Sequence, residues 1–172
     1  MATQYFGERI KRNEDPRLLT GRALFVDDVE LPEMVHAAFV RSPYAHARIE
    51  SVETDKALER EGVVAVYTAE DLGDYWRTGP LNVSPPPIER VEFHERTQPI
   101  LAKDKVRHAG EAVAVVVAES RYVAEDAVND VEVEYEALGA VVDLEEALES
   151  DAPLLHDDLD SNLAAHVIQE KG

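Results

Sequence analysis

The sequence predicts an α+β domain, and three observations carry that prediction. Short β-rich runs and short helical stretches follow one another irregularly, not in the strict strand–helix–strand alternation of a doubly wound parallel sheet. The strongest apolar run, Ala112-Val-Ala-Val-Val-Val-Ala118, has the length of a buried strand and four valines. Val131-Glu-Val-Glu-Tyr135 alternates cleanly, as a strand with one buried face does.

Taken in order, residues 35–40 (Val-His-Ala-Ala-Phe-Val) are apolar enough for a mostly buried strand. Ser42-Pro43-Tyr44 is a turn, because proline restricts the residue before it. A second strand is expected over 47–52, anchored by Ile49 and Val52. Thr54 is placed to cap a short helix over 55–60, with Gly62 as its stop. Residues 63–67 form a further β-run, and Thr68 and Asp71 have capping-box spacing.

Residues 73–99 differ. Trp76, Gly79, Pro80, Pro85-Pro-Pro87 and Pro99 mark a long irregular connection, expected to be an arm that contacts a partner. Beyond the valine strand, Ser120 caps a helix whose stripe is Val123, Ala124, Ala127 and Val128, with Glu125, Asp126 and Asp130 expected to face water. Asp143 opens a last short helix to about Leu148. From Ser150 onward the chain is acidic and poorly periodic.

Composition narrows the chemistry. The 172 residues hold no cysteine, so no disulfide, thiolate nucleophile or cysteine-ligated cluster can form within them. No run approaches the roughly eighteen apolar residues of a membrane span, and the start lacks the apolar core of a secretory signal, so a cytoplasmic location and no membrane partner are expected. The net charge is −19, distributed unevenly. Residues 1–50 carry 8 acids and 7 bases, 51–110 carry 11 and 8, and 111–172 carry 17 and 2. Such a surface repels phosphate backbones, which argues against nucleic-acid binding. It reads as a solvated face, as adaptation to high salt (lysine is scarce beside arginine), or as a surface for a basic partner.

Local motifs are weak. Glu53-Thr-Asp-Lys56-Ala57 is similar to the lysine turn of lipoyl carriers, but Lys56 falls within a capped helical turn, and the helix reading is favoured. Asp158-Leu-Asp-Ser-Asn162 opens like a calcium loop, yet Leu163 and Gln169 stand where glycine and a bidentate carboxylate belong, so it reads as a solvated acidic tail. His36, His46, His94, His108, His156 and His166 show no metal-ligand spacing, and His36 reads as a structural histidine. Nucleophile elbows, phosphate loops and dinucleotide fingerprints are missing. No catalytic, cofactor-binding or metal-ligating residue is assigned.

A set of blocks in fixed order says more than any of these. They are Arg17-Leu-Leu-Thr-Gly21, Val26-Asp-Asp28 and Leu31-Pro32; His36-Ala-Ala-Phe-Val-Arg-Ser-Pro43 and Ala45-His-Ala-Arg-Ile49; and Gly62-Val-Val-Ala-Val66 with Asp71-Leu72. After them come Val106-Arg-His108, Gly110-Glu111, Val113-Ala-Val-Val-Val-Ala118, Ala124-Glu-Asp-Ala127, Val133-Glu-Tyr-Glu136 and Asp143. Together they resemble the amino-terminal domain of the molybdenum-hydroxylase large subunit, the family of xanthine dehydrogenase, aldehyde oxidase and aerobic carbon monoxide dehydrogenase, closest to the last branch. Ala112 and Gly139 stand where that family often has proline, and Tyr44 where it often has histidine.

The resemblance implies the α/β-hammerhead fold, a mixed β-sheet domain with two main helices and a crossed-strand motif. The expected domain is 1–148, with 149–172 leading toward a molybdopterin-binding region that is absent. It further implies a structural and docking role in an oxidoreductase, inactive alone. The molybdopterin cofactor, iron–sulfur clusters and FAD are implied for the rest of the complex, on the remainder of the large subunit and on other subunits or domains. A truncated, expressed or naturally split subunit is the expected status. The alternatives are a free-standing acidic interaction module and a carrier acylated at Lys56.

Overall fold

The computed structural model describes residues 7, 9–76, 91–94 and 98–168. Residues 77–90 and 95–97 of the proline-rich stretch lie outside that set, as do Gln169 and the three residues after it. Two compact units result, Met1–Met34 and Val35–Gly172.

In the first unit, α1 (Asp15–Leu19) is a single helical segment with proline in its first turn, which periodicity over five residues cannot reveal. Arg17 pairs with Glu14 at 2.7 Å, and Gly21 takes a left-handed φ of +67° so that the chain can fold back onto the Arg17 carbonyl. Val26–Asp28 is a 3₁₀ turn closed by the Asp28 carboxylate, which accepts from the Phe25 amide at 2.9 Å. None of the described residues of this unit is buried.

The second unit begins with β1 (His36–Arg41) and β2 (Ala47–Glu53), followed by α2 (Asp55–Leu58) and β3 (Val63–Thr68). The helix is shorter than expected, and Thr54 does not cap it through its side chain, because its backbone has already entered the helical region. Gly62 ends this turn at φ +87°, and a side chain there would meet Val123 at 3.4 Å. Thr68 and Asp71 do close a cap: the Asp71 carboxylate accepts from the Thr68 amide and hydroxyl, which holds it below the usual carboxylate range.

The proline-rich stretch is not wholly irregular. Gly73–Tyr75 is a 3₁₀ turn, and β4 (Val91–Phe93) is a short strand. Next come β5 (Lys105–Val106), β6 (Ala112–Ala118), α3 (Arg121–Ala127) and β7 (Glu132–Ala137). Ser120 caps α3 as expected, its hydroxyl accepting from the Val123 amide at 3.2 Å. Asp143 likewise accepts from the amides of Glu145 and Glu146, although the turn it opens, Glu146–Leu148, is 3₁₀. Beyond Ser150 the chain makes a further strand, β8 (Ala165–Val167), which pairs with β4.

Every strand pairing among the described residues is antiparallel, in the orders β1-β6-β3, β5-β2-β7 and β4-β8. The valine strand β6 is central because it alone is apolar at every position and tolerates cover on both faces. On one side of its sheet Val40, Val66, Ala114 and Val116 pack on Ala57 of α2 and Ala127 of α3. Small alanines on both helices allow this close approach. A second core joins Val113 to Ala47, Ala102 and Val106, and a third joins Ala112 to Ala69 and Leu101, with Trp76 alongside.

Two expectations of solvation are overturned. Asp130 does not face water: its side chain is mostly covered, Arg60 bonds it at 2.6 Å, and Lys56 stands 3.6 Å away. The Arg60 hydrogen bond holds its carboxyl below the usual range. The acidic segment after Ser150 is not a free tail either. Asn162 donates to the carbonyls of Ala147 and Pro153 and accepts from the Leu155 amide. Asp157 bonds the buried Lys105 at 2.7 Å. Both partners lie far along the chain, where sequence periodicity has no reach.

Candidate functional site

Three places gather polar or reactive groups, and each is a test of what the domain can do. The first is a groove of about 370 Å³ between β2, the end of β3 and residues 102–104. It is lined by Glu50, Glu53, Glu70 and Asp104 with Lys103, and floored by Val52, Ala102 and Val113. Among the described residues no three of His, Cys, Asp and Glu converge closely enough to hold a metal ion. The groove is an acidic cleft.

The second place is buried. Glu111, 1% exposed, accepts from the Arg107 amide and lies 3.7 Å from His108 Nδ1. Arg107 donates through Nε to the Leu155 carbonyl at 3.0 Å, beside the Lys105–Asp157 bond. These contacts brace the turn before β6 against the segment 149–168. Lys105 holds the Asp157 carboxyl below its usual range. Periodicity did not single out Lys105 or Glu111. The available signal was a charged residue immediately before an all-apolar strand, where burial forces it to find a partner.

The third lies around His46. Its Nδ1 donates to the Gly139 carbonyl at 2.6 Å, while Nε2 is buried and has no hydrogen-bond partner among the described residues. Gly139 is in turn closed by Pro153, whose ring would stand 3.1 Å from an added side chain. Nearby, Ser42 bridges the Tyr44 amide and carbonyl, and the Tyr44 and Tyr135 rings lie 5.2 Å apart. Burial raises the Tyr135 phenol above its usual range, against a smaller opposing pull from Ser42. A buried imidazole held by a backbone carbonyl braces the fold at this point.

Of the other residues weighed from the sequence, Lys56 lies in α2, 3.6 Å from Asp130 and 3.9 Å from Glu132, so it neutralises carboxylates on a helix and does not stand at a hairpin tip. His36 is half-buried in β1, and His94, His108 and His166 are exposed and far apart in sequence.

The remaining surface feature is apolar. Register places Phe39, Val115 and Tyr67 in one row across β1-β6-β3, and Ala37, Val117 and Ala65 in the next, all on the side away from α2 and α3. Phe39 is 43% exposed and Tyr67 45%. Large apolar residues of the first unit are exposed as well, including Leu19, Leu24, Phe25 and Val26. The sheet face is covered at one end, where Val113 packs on Ala47, Ala102 and Val106 and Val115 lies against Ala69 and Leu101, and it is open at Phe39 and Tyr67.

Residues 20–139 match the family model described as aldehyde oxidase and xanthine dehydrogenase, a/b hammerhead domain. The chain belongs to that family. The carbon monoxide dehydrogenase large chain of Afipia carboxidovorans is 46% identical over 164 residues, which is 95% of this chain and 19% of that protein. The nicotine 6-hydroxylase large subunit of Paenarthrobacter nicotinovorans is 44% identical over 80% of this chain and 16% of its own length. Among solved structures, quinoline 2-oxidoreductase from Pseudomonas putida 86 superposes with a TM-score of 0.78 at 42% identity, over 90% of this chain and 19% of that one. The hammerhead domain thus spans about a fifth of the length of these relatives. The α+β class and the family read from the ordered sequence blocks are both what these findings show. The described residues contain no helix long and apolar enough to cross a membrane.

Proposed function

We propose that this hammerhead domain is the amino-terminal structural and docking domain of a molybdenum-dependent hydroxylase large subunit of the carbon monoxide, aldehyde or xanthine dehydrogenase type. One observation carries the reading: the likeness runs through 95% of this chain yet through only 19% of the carbon monoxide dehydrogenase large chain. In this reading the hammerhead occupies 1–148, and 149–172 leads toward the molybdopterin-binding remainder of the subunit, in the cytoplasm.

The donor set does not fit an iron–sulfur cluster. Cysteine is absent from the sequence, so an iron–sulfur cluster has no thiolate here, and no carboxylate–histidine cluster converges among the described residues. No step of the reaction is therefore assigned to this chain. The molybdopterin centre, the iron–sulfur clusters and FAD belong to the remainder of the large subunit and to further subunits or domains. There the parent reaction, hydroxylation with water as the oxygen source, is completed. The contribution of residues 1–172 is to pack and to hold that remainder in place.

The test is co-expression of this chain with the molybdopterin-binding polypeptide and the remaining subunits. Co-purification with molybdenum and recovery of hydroxylase turnover are expected for the assembly, with no turnover from the chain alone. A chain that never co-purifies with them would favour the free-standing interaction module, and turnover by the chain alone would overturn the assignment of its role.

A further inference from the structure

We propose that the outward face of the β1-β6-β3 sheet is the surface that the remainder of the large subunit covers, through a complementary apolar face of that remainder and not through a second copy of this chain. The inference rests on the reading above that the domain is part of such a subunit, and it names the surface used.

The composition of the three strands is the first argument. His36–Arg41, Val63–Thr68 and Ala112–Ala118 contain no aspartate or glutamate and a single cation, Arg41. The whole chain holds 36 acids in 172 residues. Where this chain meets water with a sheet it uses those acids: the strands β2 and β7 turn out Glu53, Glu132, Glu134 and Glu136. A contiguous apolar face on an otherwise heavily charged protein marks an interaction surface.

The second argument is that the face is already held in shape. The single cation is engaged within the domain, donating to the Gly110 carbonyl at 2.8 Å while its guanidinium stands 5.4 Å above the Phe39 ring. Phe39 is thus a fixed aromatic anchor flanked by Val115 and Val117, the arrangement that carries binding energy at protein interfaces.

The third argument selects the occupant. A second copy would bring a net charge of −19 against −19, a repulsion that an uncharged sheet face does nothing to offset. The relatives, by contrast, hold most of their length outside the matched region, so a covering face has ample chain to come from.

The experiment is hydroxyl-radical footprinting of the assembled enzyme against the chain alone, with the exposed Tyr122 on α3 as internal reference. Phe39 and Tyr67, 43% and 45% exposed in the domain, should label in the chain alone and lose that labelling on assembly. In the same assembly Phe39→Asp combined with Tyr67→Asp should weaken association by about thirtyfold, the scale for losing interface anchors, while Glu134→Lys on the other sheet leaves it unchanged. Because both aromatics are half-exposed, circular dichroism of the variant chain should match the wild type. An assembly that forms with Phe39 and Tyr67 still labelled overturns this inference and leaves the proposed function standing. Protection of both residues in the chain alone, rising with its concentration, would mean a second copy and overturn it as well. Failure of the wild-type chain to assemble would instead sink the reading beneath it.

Discussion

Sheet β5-β2-β7 pairs Arg48 with Glu136 and Glu53 with Glu132 on its outer side, while Ile49, Val52, Val133 and Tyr135 turn inward. Sheet β1-β6-β3 turns Val40, Val66 and Val116 inward, and outward it still presents Phe39, Val115, Val117 and Tyr67. Both are three-stranded and antiparallel, so hydrogen bonding does not distinguish them. The difference is period. In β7 apolar and charged residues alternate, and water satisfies one face; in β6 they do not, and both faces ask for protein. The helices α2 and α3 cover one side of β6; on the other, Val113 and Val115 pack on the second and third cores, and Phe39 and Tyr67 beside them stay half-exposed. The contrast teaches that in this domain charge marks the solvated face, and its absence marks the face proposed above for contact.

The largest test of that contrast is in the cores. Val116→Ala in the centre of β6 empties space against α2 and α3 and is expected to cost about 2–3 kcal/mol in urea unfolding. Val133→Ala in β7, half-buried, should cost about half as much. Equal losses would mean that the two sheets are equally load-sharing and break the distinction.

A somewhat smaller effect concerns what braces the solvated sheet. Asn162→Ala removes two donated bonds and one accepted bond and leaves their partners short, an expected loss of about 1–2 kcal/mol. Proteolysis within 149–168 should accelerate. An unchanged cleavage rate would show that the segment is held without Asn162.

The bond from Asp157 to Lys105 of β5 predicts a pH dependence confined to this side. The Asp157 carboxyl is held below its unfolded value by the Lys105 hydrogen bond. Its stabilisation is therefore present above the ordinary aspartate range and is lost as acid carries the pH down through the folded value. Because Asp157 is largely exposed, the effect should be modest: local release of the segment in acid, read by proteolysis, with β6 amides still protected. Lys105→Met should abolish that dependence. Persistence of the acid release in Lys105→Met would assign it to another group.

The smallest effect lies on the charged face itself. Glu53 and Glu132 stand directly opposite each other, with Lys56 3.9 Å from Glu132. Glu53→Lys should stabilise the domain by about 0.2–1 kcal/mol, an effect that added salt diminishes. Destabilisation by this change would mean that Glu53 has a partner the cross-strand register does not supply.

The sequence by itself determined the elements and the family. Residues 35–40, 47–52, 63–67, 112–118 and 131–135 read as strands because period-two alternation or unbroken apolar character is a local property of a few neighbours, and the strands observed differ from these bounds only at their ends. The Ser120 cap and the alanine stripe of α3 were legible for the same reason, as were the ordered blocks that identify the hammerhead family. The absence of cysteine, too, needed no fold to interpret. Only the tertiary structure decided that β6 lies between β1 and β3, that the strand Ala165–Val167 finds Val91–Phe93, and that His46 meets Gly139 ninety-three positions away. It also decided that Asp130 and Asp157, acids like their exposed neighbours, each hold a cation. Those outcomes depend on which distant segments come together, and on which face of a fully apolar strand the helices cover. No window of neighbouring residues contains that information.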